Sequence, residues 1–239
     1  MKIEEFLKQA KPLDLVFFRG KGTYSEIISF FEWVNFKQQY PWTHVGIIVN
    51  KKIMPTLNVN DDKLYIYEAA YNGKSKDELS TVKDIETNLQ IFGVQIRDLE
   101  SVVKCYLQDG QRVGFAPLSS SIYDKSVTES QEHYEYRFKH IQKTMDSIHR
   151  KFYQSQYTIN PFSLIGSLYN WAFHHNPFPK DHIFCSMFVC YILQKLNIIP
   201  STIEPTRITP EELALPTVSP QFHNCHVSQF CSLPIELSL

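Results

Sequence analysis

The hydrophobic pattern is mainly that of strands up to about residue 118, apart from one helix predicted after the Thr23–Glu26 capping box, and is mainly that of helices beyond it. This change constrains the fold more than any other feature. Up to about residue 118, short apolar and β-branched runs alternate with polar loops, which predicts strands. Beyond the Ser-rich segment 119–121, apolar side chains from Tyr134 to Phe152 recur every three or four residues, as on one helix face. We therefore expect an α+β domain in which helices pack against a mainly antiparallel sheet.

The strand pattern is specific enough to name segments. We expect strands at 14–18, 43–49, 64–69, 94–99, 102–107 and 112–117. The second and third are predicted to form an antiparallel hairpin around a polar loop at 50–63, and residues from Ser201 onward are expected to be mostly irregular. We interpret 1–239 as a single domain with surface insertions at 72–89 and 119–153.

Composition narrows the class of protein. A chain of 239 residues with 43% hydrophobic and 21% charged residues can bury one large core. A net charge of −1 gives no electrostatic footprint for nucleic acid. The longest apolar stretch, 184–193, is shorter than the roughly 20 residues of a membrane span, and the charged segment 1–11 lacks a signal-peptide core. Five scattered cysteines, an odd number, favour a reducing, cytoplasmic compartment.

Two distant segments together predict a thiol site. His44 lies at the start of an apolar strand, and Cys185 begins an apolar helix, where the helix dipole and an imidazolium favour the reactive thiolate. Glu68 interrupts the other strand of the hairpin, and a buried carboxylate needs a partner. Both residues lie near the open end of the hairpin, so we expect Glu68 to sit opposite His44 and to orient its ring.

Competing residues are ranked lower. Cys190 lies five residues after Cys185, a rotation of about 140° along a helix, so it is expected to pack in the core. His175 and His182 are rival bases in a Pro-containing loop without a signal for a fixed orientation. Other candidates are expected to be ordinary: solvated histidines on the 134–152 helix, His133 and His140, and a tail cluster that we do not interpret as a metal site, His223, Cys225, His226 and Cys231.

Several motifs occur in an order known from one group of proteins. They are Asp14–Phe17, Ser25–Phe31, Thr43–Ile47, Ile66–Ala69 and Phe184–Ser186. Together they resemble the circularly permuted branch of the papain-like NlpC/p60 superfamily, particularly its YiiX-like and poxvirus-type group, with a more distant likeness to lecithin:retinol acyltransferases. The chain departs from that group after the Cys-Ser pair, where Met187 and Phe188 replace an acidic and an aliphatic residue.

The resemblance implies a permuted papain-like fold and a cysteine-dependent hydrolase of amide, ester or thioester bonds. It implies Cys185 as nucleophile, His44 as base and Glu68 as the orienting residue. Tyr157 is similar to a family tyrosine, and two interpretations stay open for it: a residue that binds substrate, or an ordinary packed aromatic. Neither a metal nor an organic cofactor is expected, and the substrate is either peptide-like or an acyl lipid. Two alternatives stay open: a lipid acyltransferase or acylhydrolase of the same fold, and a non-catalytic, virion-associated protein that retains it.

Overall fold

Six strands form one sheet at the centre of the computed structural model, which describes residues 1–20, 42–60, 63–70, 82–91, 93–118, 123–155, 184–215, 222 and 233–239. The strands are β1 (Leu15–Arg19), β2 (His44–Val49), β3 (Tyr65–Ala70), β4 (Gly93–Asp98), β5 (Arg112–Ala116) and β6 (Ile235–Glu236). Their order is β4-β3-β2-β1-β5-β6, and each neighbouring pair is antiparallel. The predicted α+β class, the antiparallel sheet and the β2–β3 pairing are confirmed.

Helices cover both faces of this sheet. They are α1 (Ile3–Gln9), α2 (Leu99–Gln108), α3 (Gln131–Phe152), α4 (Cys185–Lys195) and α5 (Pro210–Ala214), with a 3₁₀ helix at Pro205–Arg207. The predicted helices beginning near Tyr134 and Phe184 are confirmed as α3 and α4. Among the parts of the chain that the structure describes, no helix is both long and apolar enough to cross a bilayer.

Alternate residues of the strands serve two separate cores. Leu15 and Phe17 of β1 point into the larger core, under α3, α4 and α5. Val16 and Phe18 point into the smaller core, under α1 and α2. Because both faces are covered, the inner strands are buried along nearly their whole length, which is why they are almost continuously apolar in sequence.

One predicted strand is wrong. Segment 102–107 belongs to α2, although its two valines favour extended structure. Asp98 caps the helix by accepting a hydrogen bond from the Ser101 amide at 2.9 Å. Residues 99, 102, 103 and 106 are the buried ones, and this helical spacing packs α2 on the smaller core. Cap and burial together therefore override the β propensity of Val102 and Val103.

The tail contains more order than its sequence predicts. Thr209 and Glu212 form a capping box that begins α5, and β6 adds an edge strand against β5. The two segments interpreted as insertions also contribute buried residues where they are described. Asp84 is buried and accepts a hydrogen bond from the Ile96 amide at 2.9 Å, and α3 places Ile141 and Met145 in the larger core.

Candidate active site

His44 is the first residue of β2, an inner strand of the sheet. The amide of the preceding Thr43 donates to the Phe18 carbonyl at 2.9 Å, which fixes the chain just before the histidine. The Phe18 ring lies 5.7 Å from the imidazole, centroid to centroid. The His44 side chain keeps 15% of its surface exposed, so it is held by the fold and still reached by solvent.

Glu68 binds His44 from the neighbouring strand. Its Oε2 lies 2.6 Å from His44 Nε2, and its side chain is fully buried. The expected direct opposition is wrong in detail, because the pairing of Ile47 with Tyr67 puts Gly46 beside Glu68 and makes His44 a diagonal neighbour. A Cβ at Gly46 would lie 3.3 Å from Glu68 Cβ and only 2.5 Å from Ile66 Cδ1. The missing side chain therefore leaves the room in which Glu68 and Ile66 pack.

Arg97 completes the buried network and is absent from the sequence-based site. It lies on β4, is 1% exposed, and donates from Nε to Glu68 Oε1 at 2.7 Å. Its terminal Nη2 contacts the same oxygen. Because Arg97 takes Oε1, the other oxygen of Glu68 is directed to His44. The sequence feature that could have indicated Arg97 is a single basic residue within an apolar strand. The β3–β4 register is needed to show that this residue reaches Glu68.

Cys185 is the first residue of α4. The residue before it, Phe184, is extended (φ −126°, ψ 166°) and offers no side-chain cap, so the first amides of α4 are not used by a capping side chain. Ser186 anchors this end by donating from Oγ to the Ile208 carbonyl at 2.6 Å. Cys185 is 4% exposed, and its thiol group lies close enough to His44 to act on the charge of the imidazole. Since Glu68 occupies Nε2, Nδ1 is the ring nitrogen that remains available to the sulfur.

The charges in this network support one another. Burial lowers the pKa of His44, but Cys185 and Glu68 together outweigh it and raise that pKa to about 10. Burial also raises the pKa of Glu68, yet the Arg97 and His44 charges prevail and hold it below its usual value. Arg97, Glu68 and the protonated His44 alternate in charge, and this series ends with the imidazolium beside the Cys185 sulfur.

The second thiol of α4 is in a different environment. Cys190 is fully buried in the larger core. Burial first, and then the nearby charges of Glu212 and Glu204, raise the pKa of its thiol well above the ordinary range. A thiol without solvent access or a cationic partner is inert. The structure therefore brings Cys185 to His44 and keeps Cys190 as a packing residue.

Several predicted residues lie outside the described part of the chain. They are Tyr157, His175, His182, His223, Cys225, His226 and Cys231. Among the residues that the structure does describe, no group of three or more His, Cys, Asp or Glu side chains is placed to hold a metal ion. His133 and His140 are both exposed on α3, in agreement with the prediction.

Comparison with known proteins adds nothing to the fold and the site geometry. No protein-family model matches the sequence, and no curated protein matches it either.

Proposed function

We propose that this protein is a cysteine-dependent acyl hydrolase in which Cys185 is the nucleophile. The observation that supports this most directly is the position of His44, which is bound by Glu68 at 2.6 Å and interacts electrostatically with Cys185. A nucleophile, a base and a group that orients the base are the three parts of nucleophilic catalysis by a thiol. The motif order that resembles permuted papain-like enzymes supports the same proposal.

The reaction begins from the imidazolium–thiolate pair. The Cys185 sulfur attacks the acyl carbon of an amide, ester or thioester, and the carbonyl oxygen becomes an oxyanion. Amides at the start of α4, including that of Cys185, are candidates to donate hydrogen bonds to this oxygen, with the helix dipole adding to the stabilisation. His44 then gives its proton to the leaving amine, alcohol or thiol, which departs and leaves a thioester on Cys185.

Water completes the cycle. His44, now neutral, takes a proton from water while the hydroxide oxygen attacks the thioester carbonyl. The acid product leaves, and the sulfur and imidazolium return to the starting pair. Arg97 and Glu68 do not touch the substrate in this scheme; they hold the ring so that the same nitrogen serves both steps. The proposal is compatible with the reducing compartment that the odd number of cysteines favours, where the Cys185 thiol would stay reduced.

The test uses acyl probes on the full chain. Parent protein, Cys185→Ala, His44→Ala and Cys190→Ala are each treated with a peptide thioester and with a long-chain fatty acyl ester, and protein-bound acyl group and released acid are measured by mass spectrometry. We expect no acylation without Cys185 and unchanged acylation without Cys190. Without His44, turnover is expected to fall by about 10²–10⁴-fold.

The two probes separate the substrate classes. Turnover of the peptide probe alone supports a peptide-like substrate, and turnover of the ester alone supports an acyl lipid. Equal, slow modification of both thiols, or none in the parent, would contradict the hydrolase proposal and favour the non-catalytic alternative, a structural protein of a virus particle.

A further inference from the structure

A second cluster of charge lies between α3 and α4, away from Cys185. A groove of about 520 Å³ there is lined by four basic side chains: His140, Lys143 and Lys151 from α3, and Lys195 from α4. The three on α3 share one helix face, because they are spaced by three and eight residues. Since the whole chain has a net charge of −1, this concentration of basic groups is local.

Two of these ammonium groups share one aromatic ring. Lys151 Nζ and Lys195 Nζ each lie 5.3 Å from the centre of the Tyr191 ring. Lys151 is further placed by the Phe152 ring at 4.8 Å and by the Tyr191 hydroxyl at 3.5 Å. Cation–π contacts therefore bring two like charges to the same short stretch of groove.

No described carboxylate compensates them. Other lysines of the chain pair with acids, such as Lys63 with Asp98 and Lys104 with Glu100. Within the described ranges, by contrast, Lys143, Lys151 and Lys195 form no salt bridge, and the groove has no acidic side chain in its described wall. Like charges held together repel one another, so an anion placed between them would be stabilised.

The wall also offers neutral donors. The Thr144 and Ser147 hydroxyls line the groove from α3, and Tyr191 lines it from α4. Ammonium and hydroxyl groups are among the side-chain donors that bind phosphate oxygens. Three lysines suit a ligand with more than one negative charge, and a phosphate ester has that charge on a single tetrahedral group. The volume falls in the range of small-molecule sites and exceeds what an isolated phosphate fills.

We propose that this groove binds a small organic molecule carrying a phosphate or polyphosphate group. The site is distinct from the proposed active site, because Lys195 follows Cys185 by ten residues, about 15 Å along the helix axis. The proposal does not depend on the hydrolase proposal. Lys151 and Lys195 hold the phosphate oxygens, and the hydroxyl groups supply the remaining hydrogen bonds.

The experiment is calorimetric titration of the full chain at 0.15 M salt with three probes: inorganic pyrophosphate, a nucleoside triphosphate without metal, and citrate. The variant is Lys151→Gln/Lys195→Gln. A matched control, Lys8→Gln/Lys104→Gln, removes the same charge from exposed lysines outside the groove. We expect both phosphate probes to bind the parent and the control alike, and the groove variant to bind about 100-fold more weakly, about tenfold for each lost charged hydrogen bond.

Three results would overturn the proposal. The parent binds neither phosphate probe; citrate binds as tightly as pyrophosphate, which reduces the site to general anion attraction; or the control loses as much affinity as the groove variant. Circular dichroism of each variant shows whether it is folded. If the double variant unfolds, the single variant Lys195→Gln, with its expected tenfold loss, decides in its place.

Discussion

The two ends of helix α4 differ in whether their charged groups are paired with groups of opposite charge. At its first residue, Cys185 meets a network in which each charge has a partner of opposite sign, and Arg97 and Glu68 are fully withdrawn from water. At its last turn, Lys195 contacts the same Tyr191 ring as Lys151, and neither lysine forms a salt bridge with a described carboxylate. A buried charge without a partner of opposite sign raises the free energy of the folded protein, whereas water and salt screen a charge at the surface. The first end therefore depends on its partners for stability, and the second can leave its charges available for a ligand.

The largest expected effect comes from removing the buried cation. Arg97→Met leaves Glu68 without the partner that offsets its burial, so we expect a loss of about 3–5 kcal/mol in the free energy of unfolding. Urea denaturation monitored by circular dichroism measures it. The double variant Arg97→Met/Glu68→Gln removes both charges, and it should be less destabilised than the sum of the two single variants. An additive result would mean that Arg97 and Glu68 do not interact.

The second effect concerns the ionisation of His44. Because the Cys185 thiolate is the main group that raises its pKa to about 10, His44 stays protonated at neutral pH and loses its proton only as the pH rises toward 10. Substitution Cys185→Ser removes that charge, and the pKa of His44 should fall by about one unit or more. NMR titration of the imidazole carbon resonances measures both proteins. A His44 that titrates near 6.5 in the parent would contradict the ion pair.

The sequence predicts part of the site at the start of α4. The helix start at Cys185, the strand start at His44 and the buried carboxylate at Glu68 follow from local patterns of apolar and polar residues. The role of Arg97 does not follow from such a local pattern, because it depends on which residue of β3 lies beside Arg97. That pairing is set by the register between two strands, which one strand's sequence does not specify. The diagonal placement of His44 and Glu68 was missed for the same reason. Helix α2 was missed because a cap and a packing face outweighed two β-branched residues.

A smaller effect follows from the diagonal geometry. The variant Gly46→Ala adds a Cβ 2.5 Å from Ile66 Cδ1, inside a fully buried cluster, so Ile66 must move. Overpacking of this kind costs about 1–3 kcal/mol, which thermal and urea denaturation will detect. The shift also disturbs Glu68, so the reactivity of Cys185 toward iodoacetamide should fall in this variant. In the control variant Lys104→Gln, which changes an exposed residue, the reactivity of Cys185 should equal that of the parent protein. Unchanged stability would show that Gly46 is not needed for the close approach of β2 and β3.

The smallest effect is expected at the other end of α4, and its sign is what matters. Lys151→Gln and Lys195→Gln each abolish the repulsion between the two ammonium groups. The sum of the two single-variant changes in the free energy of unfolding therefore includes the relief of this repulsion twice, whereas the double variant includes it once. The double variant should therefore be less stable than the sum predicts, by about 0.3 kcal/mol, and the difference should shrink at high salt. Denaturation of all four proteins at two salt concentrations measures it. Arg97 and Glu68 attract each other, so their cycle has the opposite sign; two cycles of the same sign would mean that the two ends of α4 do not differ in the way their charges are compensated.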